Sequence, residues 1–399
     1  MKVLIADKIS EQTIRALQEM DCKVHFQPDL SSDDLPRAIA DHNVLVVRST
    51  KVTDATIDAA SSLSLIVRAG AGYNTIDVAA ASSRGIYVTN CPGKNKDAVA
   101  ELAVGLLIAV DRRLVSASAD LCAGKWRKKE YGKASGLKGR TLGVLGMGTI
   151  GRTVVSIAQS LGMNVIAWSR SLDDAKAELF GIERAENPWD LARKSDAISI
   201  HLASVPETKH LVNSEFLRAM RDNAILVNTS RGDLIDTVAL KNAIREKKLK
   251  VGLDVFENEP GGGEAEYDDA ELAAMVTATP HIGASTDQAA EAIAAETARI
   301  VRVFRETGKP PNAVNLCERT PATHSLVVRH LDRVGVLAGV LSCLKSEEIN
   351  VEEMENTIFE GNEAACCTLL LTTAPSSKIL AKLEEDANIL QVTLEKREH

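Results

Sequence analysis

Short, almost continuously apolar runs alternate with helix-like stretches through most of this sequence, and that alternation restricts the fold more than anything else in it. The runs VLIAD (3–7), KVHF (23–26), VLVVR (44–48), SLIVRAG (64–70) and IYVTN (86–90) are separated by segments such as SEQTIRALQEM (10–20). Strands apolar on both faces and spaced by helices predict a parallel sheet covered on both sides. A helix-rich segment (98–121) follows, and the alternation resumes with TLGVLGMGTIGRTVVSIAQSLGMNVIAWS (141–169). Further strands are expected at 197–202, 224–230, 250–256 and 275–282, with a helix at 236–248. The long helical pattern at 285–307 ends at GKPPNAVN (308–315) and can carry the chain back to the first sheet.

The pattern changes after the linker ERTPAT (318–323). Strand, helix, strand, strand, helix, strand follow one another to the end, a ferredoxin-like βαββαβ plan. The expected fold is therefore α/β, with two doubly wound parallel sheets of Rossmann or flavodoxin type and a ferredoxin-like module. The expected domains are 1–97 with 285–317, then 98–284, then 318–399. GGGEAEYDDAE (261–271) reads as a Gly-rich, acidic surface loop.

Aromatic residues make up only 3% of the 399, so the cores rest on Ala, Val, Leu and Ile. A net charge of −8 argues against a globally basic nucleic-acid binder. No apolar run approaches the roughly 18 residues of a membrane span, and MKVLIAD reads as a first strand, not a secretory leader. Seven scattered cysteines without a CxxC fit reduced thiols in cytoplasm better than disulfides or a metal site. Cys366 and Cys367 are expected to alternate across a strand and pack.

The strongest local motif is Gly146-Met147-Gly148-Thr149-Ile150-Gly151, between an apolar strand and a helix. Gly146 makes the tight turn, Gly148 lets backbone approach a pyrophosphate, and Gly151 lets helix pack on strand. An acidic residue at the end of the next strand would hold a ribose 2′-hydroxyl, but that strand ends in Trp168-Ser169-Arg170-Ser171. Ser169 and Arg170 could hold a 2′-phosphate instead, so NAD is expected with NADP open. Three later strands end in Asn228-Thr229-Ser230-Arg231-Gly232, in Asp254 to Pro260, and in Pro280-His281-Ile282-Gly283. Strand C-termini line the crevice of a doubly wound sheet. They would bring together Arg231 to fork onto a carboxylate, His281 to carry a proton, and Glu259 to favour its charged form.

The ordered set RAGAGYNTID (68–77), VAEL (99–102), the glycine motif, NTSRGDLID (228–236), GLDVFENEP (252–260) and TPHIGAST (279–286) resembles the D-isomer-specific 2-hydroxyacid dehydrogenases. The resemblance covers residues 1 to about 315. It implies hydride transfer between NAD and a D-2-hydroxyacid, with Arg231, Glu259 and His281 as the catalytic trio. It implies cofactor contacts at Ala71, Val99, Thr149, Ile150, Thr229, Ser230, Asp254, Gly283 and Ala284, besides the glycines. The substrate carboxylate would meet the Gly70-Ala71-Gly72 turn and Arg231. Arg48 resembles the family's phosphate-side arginine, with Lys51 and Lys94 as further candidates. The tail resembles an ACT domain through His330 to Leu337 and Ile349-Asn350-Val351. That implies an amino-acid effector near His330, Asp332 and Asn350, and a homodimer or homotetramer. The sequence departs from the family at Asn74, at Ser169-Arg170, at Asp332 and in the loop 90–95. An NADPH-preferring glyoxylate or hydroxypyruvate reductase stays open as an alternative, as does a nucleotide-sensing scaffold.

Overall fold

The computed structural model describes residues 1–260, 265–317 and 320–397. Residues 261–264 of the acidic loop and 318–319 of the linker lie outside it. The chain divides into two compact units, Met1–Asn315 and Leu316–His399.

The first unit holds two parallel sheets. One is built from Lys2–Ile5 (β1), Lys23–Phe26 (β2), Val44–Val47 (β3), Leu65–Arg68 (β4) and Tyr87–Thr89 (β5), in the order β2-β1-β3-β4-β5. All of β3, Val-Leu-Val-Val, is buried, as a strand covered on both faces requires. The other sheet contains Thr141–Leu145 (β6), Asn164–Trp168 (β7), Glu183–Arg184 (β8), Ala197–Ile200 (β9), Ile225–Asn228 (β10), Lys250–Leu253 (β11) and Thr277–Ala278 (β12). Its order is β12-β11-β10-β9-β6-β7-β8, so the direction of winding reverses between β6 and β9. Such a reversal opens a crevice at the strand C-termini. Separate apolar cores fill the two faces of each sheet.

The structure refines or departs from the expected pattern at three places. The helix-rich segment expected at 98–121 is two helices, Lys96–Arg112 and Leu114–Cys122, broken at Arg113 in the left-handed region (φ 52°). Tertiary contacts hold that break: Arg113 pairs with Glu130 at 2.7 Å and lies over the Tyr131 ring. The strand expected over 275–282 shrinks to Thr277–Ala278, because the Asp254 carboxylate draws residues 279–283 into a turn. The short edge strand β8 carries too little apolar pattern to be seen in the sequence.

The long helix is Asp287–Thr307, started by the Thr286 hydroxyl on the Ala289 N–H and ended at Gly308 (φ 72°). It packs on the helix Glu11–Glu19 of the first sheet. The second unit is an antiparallel sheet of His324–Leu331 (β13), Val351–Ile358 (β14), Ala364–Leu371 (β15) and Ile389–Lys396 (β16), in the order β14-β15-β13-β16. The helices Val336–Ser346 and Ser377–Glu384 contribute to its core. This is the expected βαββαβ plan. Cys367 is buried in that core and Cys366 points to the other face. Among the described residues no helix is long and apolar enough to cross a membrane.

Candidate active site

A cleft of about 510 Å³ lies within the first unit, where the C-terminal ends of both sheets meet. Its seven-stranded wall is organised by Asp254, which follows β11 and is buried. The Asp254 carboxylate accepts from the Thr279 hydroxyl at 2.6 Å, the Ile282 N–H at 2.8 Å and the Gly283 N–H at 2.8 Å. Its own carbonyl accepts the His281 N–H at 2.8 Å. These bonds hold His281 in the left-handed region (φ 53°), a costly conformation for a non-glycine residue and one concentrated at functional sites. The His281 Nδ1 lies 2.7 Å from Glu259 Oε2. With Nδ1–H donating to the carboxylate, Nε2 is the nitrogen left to exchange a proton. Burial pushes the Glu259 carboxyl up, but the bond from His281, the Phe256 N–H and the charge of Arg231 together hold it below the ordinary range.

The glycine motif fits a dinucleotide. A Cβ on Gly146 would strike the His201 carbonyl, and one on Gly151 would strike the Gly146 carbonyl. A Cβ on Gly148 would meet nothing within 4 Å, so that glycine faces open space at the start of the helix Thr149–Ser160. The helix has no side-chain cap there, which leaves its first N–H groups for a phosphate. Two buried polar atoms at the cleft, Thr229 Oγ1 and His201 Nδ1, lack a partner among the described residues. Buried polar atoms are normally paired, so both suit a polar ligand. Burial pushes the His201 imidazole down to about 4.

Family comparisons agree with this geometry. Residues 104–283 match the model described as "D-isomer specific 2-hydroxyacid dehydrogenase, NAD binding domain". A glyoxylate reductase of Thermococcus litoralis is 38% identical over 331 residues, covering 79% of this chain and 96% of that one. The chain belongs to the D-isomer-specific 2-hydroxyacid dehydrogenase family. A D-3-phosphoglycerate dehydrogenase of Methanocaldococcus jannaschii is also 38% identical, over 320 residues, covering 79% of this chain. This chain spans only 60% of the length of that relative. The crystal structure of a Thermus thermophilus protein, TT0316, superposes with a TM-score of 0.71 at 32% identity, covering 79% of this chain and 100% of that one.

The five-stranded wall of this family member presents the Gly70-Ala71-Gly72 turn after β4. A Cβ on Gly70 (φ 155°) would run into the Arg68 guanidinium, and one on Gly72 into the Arg231 guanidinium. Two arginines thus occupy the space that two side chains would fill. Arg68 has no role in the sequence reading, although it opens the quoted RAGAGYNTID motif. It is partly buried, and its Nε, itself buried, has no partner among the described residues. Burial, with the positive charges of Arg231 and Arg48, pushes its guanidinium down to about 10. Asn74, Asn95 and Ser204 also line the cleft and were equally unassigned there.

Of the sequence candidates, Ala71, Gly72, Val99, Gly148, Thr149, Ile150, Thr229, Ser230, Arg231, Asp254, His281, Gly283 and Ala284 line the cleft. Glu259 stands behind His281. Gly146 and Gly151 serve packing. Ser169 and Arg170 sit at the tip of β7, outside the lining, with Arg170 exposed. Arg48 is exposed and also outside the lining, near enough to act on Arg68 by charge. Lys94 is not turned to the cleft either; its ammonium lies 3.4 Å from Glu296.

In the second unit His330 is buried, not at an open rim. Its Nδ1 lies 2.8 Å from the Leu331 carbonyl and its Nε2 3.2 Å from Asn356 Oδ1. Asp332 and Asn350 are exposed, and Asn350 donates to Glu352 at 2.7 Å. The three are not gathered into one polar cluster by any bond between them.

Proposed function

We propose that this chain oxidises a D-2-hydroxyacid with NAD, that the acid is D-3-phosphoglycerate, and that the product is 3-phosphohydroxypyruvate for serine synthesis. The observation that carries the substrate is the accumulation of positive charge at the five-stranded wall, where Arg231 from the facing wall comes up to the Gly70-Ala71-Gly72 turn. The charges of Arg231 and Arg48 both act on Arg68, which is partly buried and whose Nε has no partner among the described residues. Like charges held together in a low-dielectric wall suit a multiply charged anion, and a carboxylate plus a phosphate supplies one.

NAD, when bound, accepts the hydride. Thr229 and the first turn of the helix Thr149–Ser160 would hold it. Arg231 would fork onto the substrate carboxylate and polarise the forming carbonyl. His281 would take the hydroxyl proton on Nε2, and Glu259 would orient the ring and stabilise the imidazolium. Residues 1–97 with 285–317 would act as the substrate domain and 98–284 as the nucleotide domain. Closure between them would exclude water.

The decisive assay is initial rates with 3-phosphoglycerate, 2-hydroxyglutarate, glycerate and hydroxypyruvate, each with NAD(H) and NADP(H). Preference for 3-phosphoglycerate with NAD is expected. Faster turnover of glycerate than of its phosphate ester would sink the substrate reading. Faster NADPH-dependent hydroxypyruvate reduction would favour the second reading, to which the exposed Arg170 at the tip of β7 lends support.

The βαββαβ unit is read as an ACT-like regulatory module, with an amino acid as its effector. A homodimer or homotetramer is the expected state. The helix Leu114–Cys122 buries none of its residues, and Leu114, Val115, Leu121 and Trp126 are exposed, which supports association. Deleting residues 320–399 and measuring solution mass and rate, with and without millimolar serine, tests both roles of the tail. An unchanged number of subunits would remove its part in assembly.

A further inference from the structure

Glu296 lies in the middle of the long helix Asp287–Thr307 and is buried, with 5% of its surface exposed. A buried carboxylate needs partners, and this one draws them from three segments. Arg299, one turn on, grips both oxygens at 3.0 and 2.6 Å. Asn312, in the segment after the helix, donates to Oε1 at 2.7 Å. Lys94, from the loop 90–95, places its ammonium 3.4 Å from Oε2. The Arg299 guanidinium, with Asn312 and Lys94, holds the carboxyl down to about 2 against the effect of burial.

The same loop reaches the cleft. Asn312 also donates to the Asn90 carbonyl at 3.3 Å. Asn90 in turn donates from its side chain to the Ala71 carbonyl at 2.6 Å, and the Cys91 N–H donates to the Gly70 carbonyl at 2.9 Å. The Cys91 thiol lies 3.6 Å from the hydroxyl of Thr297, the residue after Glu296. A continuous chain of bonds therefore runs from Glu296 through the loop 90–95 to the Gly70-Ala71-Gly72 turn. Lys94, which the sequence assigns to substrate, belongs to this chain instead.

We propose that Glu296 is a positioning residue for acid binding: it clamps the loop 90–95 through Lys94 and Asn312, and the loop sets the turn that receives the substrate carboxylate. The proposal rests on the reading of the cleft as a 2-hydroxyacid site. A buried ion cluster adds little net stability over apolar packing. What it adds here is one fixed loop geometry. The turn must stand at the correct height between Arg68 and Arg231, and misplacing it weakens the acid more than the cofactor, whose glycine motif lies on the other wall.

The test compares the full chain with E296Q, and with K94M as a second variant at a partly exposed position that leaves the buried Glu296–Arg299 pair intact. Amide hydrogen exchange at Cys91 reads the clamp without any substrate. Steady-state kinetics with the best acid of the panel above, and NAD titration by fluorescence, read its consequence. Exchange at Cys91 should rise about tenfold, the typical effect of losing a charge-assisted bond. KM for the acid should rise by about tenfold on the same ground, with kcat changing less than KM and NAD affinity unchanged. Unchanged exchange in E296Q overturns the clamp. Faster exchange with an unchanged KM, or acid and NAD affinity lost together, overturns the positioning role. If E296Q fails to fold, K94M decides by the same readouts. If the parent protein turns over none of the acids, the functional reading fails, and exchange at Cys91 alone still decides whether the clamp exists.

Discussion

On the seven-stranded wall of the cleft, the buried carboxylate is satisfied by hydrogen bonds within the protein: Asp254 is held by one hydroxyl and two N–H donors. On the five-stranded wall, the partly buried Arg68 stands near the like charges of Arg231 and Arg48, with an Nε that none of the described residues meets. The first arrangement stabilises a geometry. The second stores repulsion that an anion would relieve. On the proposed mechanism, the wall that holds its own charges presents the catalytic groups, and the wall that does not selects what binds. The same asymmetry appears in the glycines. Gly70 and Gly72 make room for arginines, whereas Gly148 makes room for something outside the chain.

The largest effect should come from breaking the first wall. His281→Ala removes the proposed proton carrier, and turnover should fall by roughly 10²–10⁴ with the fold unchanged. Arg231→Lys should also be severe, because an ammonium cannot reproduce the fork. Near-normal turnover of the histidine variant, with native circular dichroism, would show that another group moves the proton.

Next come the glycines, which separate the two walls directly. Gly72→Ala places a methyl where the Arg231 guanidinium lies. A displacement of about 1 Å at a positioned group can cost roughly 10²-fold, and the loss should fall on kcat/KM for the acid. Gly148→Ala meets no protein atom, so stability should hold while NAD affinity falls. If both variants weaken the acid and NAD equally, the walls do not divide the work as argued.

The sequence made one wall readable and hid the other for a physical reason. Arg231, Glu259 and His281 each follow an apolar strand, so periodicity alone places them at one sheet edge. Asp254 is found the same way. Arg68 also ends a strand, but a lone arginine before a glycine turn reads as a solvated charge until the fold buries it. Glu296 is one charge among several on a long amphipathic helix, and nothing local marks it as enclosed. Lys94 shows the reverse error: a lysine beside a substrate loop invites a ligand role, while its partner lies about 200 residues away along the chain. Coarse fold was legible because parallel strands and their helices carry a local pattern. Breaks such as Arg113 and the turn after β12 were not, because distant groups impose them.

Arg68→Met sharpens the comparison at a smaller magnitude. Losing a charge-assisted bond to the anion should raise KM for the acid by about 10–100-fold. Folding stability should not fall, because a partly buried, repelled guanidinium is replaced by an apolar chain of similar length. A melting temperature raised by about 2 °C, together with a higher KM, is the expected pair. A clear fall in melting temperature would mean that Arg68 holds the wall together and does not wait for an anion.

The smallest effect belongs to Arg170. It stands at the tip of β7, exposed and outside the cleft lining, where a dinucleotide on the glycine motif would carry its adenosine ribose. An exposed ion pair contributes about 1 kcal/mol or less, so Arg170 can add no more than about fivefold to a 2′-phosphate. Arg170→Asp should therefore weaken NADP by several-fold, since repulsion replaces attraction, and leave NAD within about twofold. The acid's KM should not move, because the five-stranded wall is untouched. Titrating both dinucleotides into the two proteins at low and high salt separates the causes. A loss that salt removes is electrostatic and places Arg170 at the 2′-phosphate. Equal loss of NAD and NADP would mean instead that Arg170 stacks on the adenine, and the choice between the two cofactors would then have to be made elsewhere on the nucleotide wall.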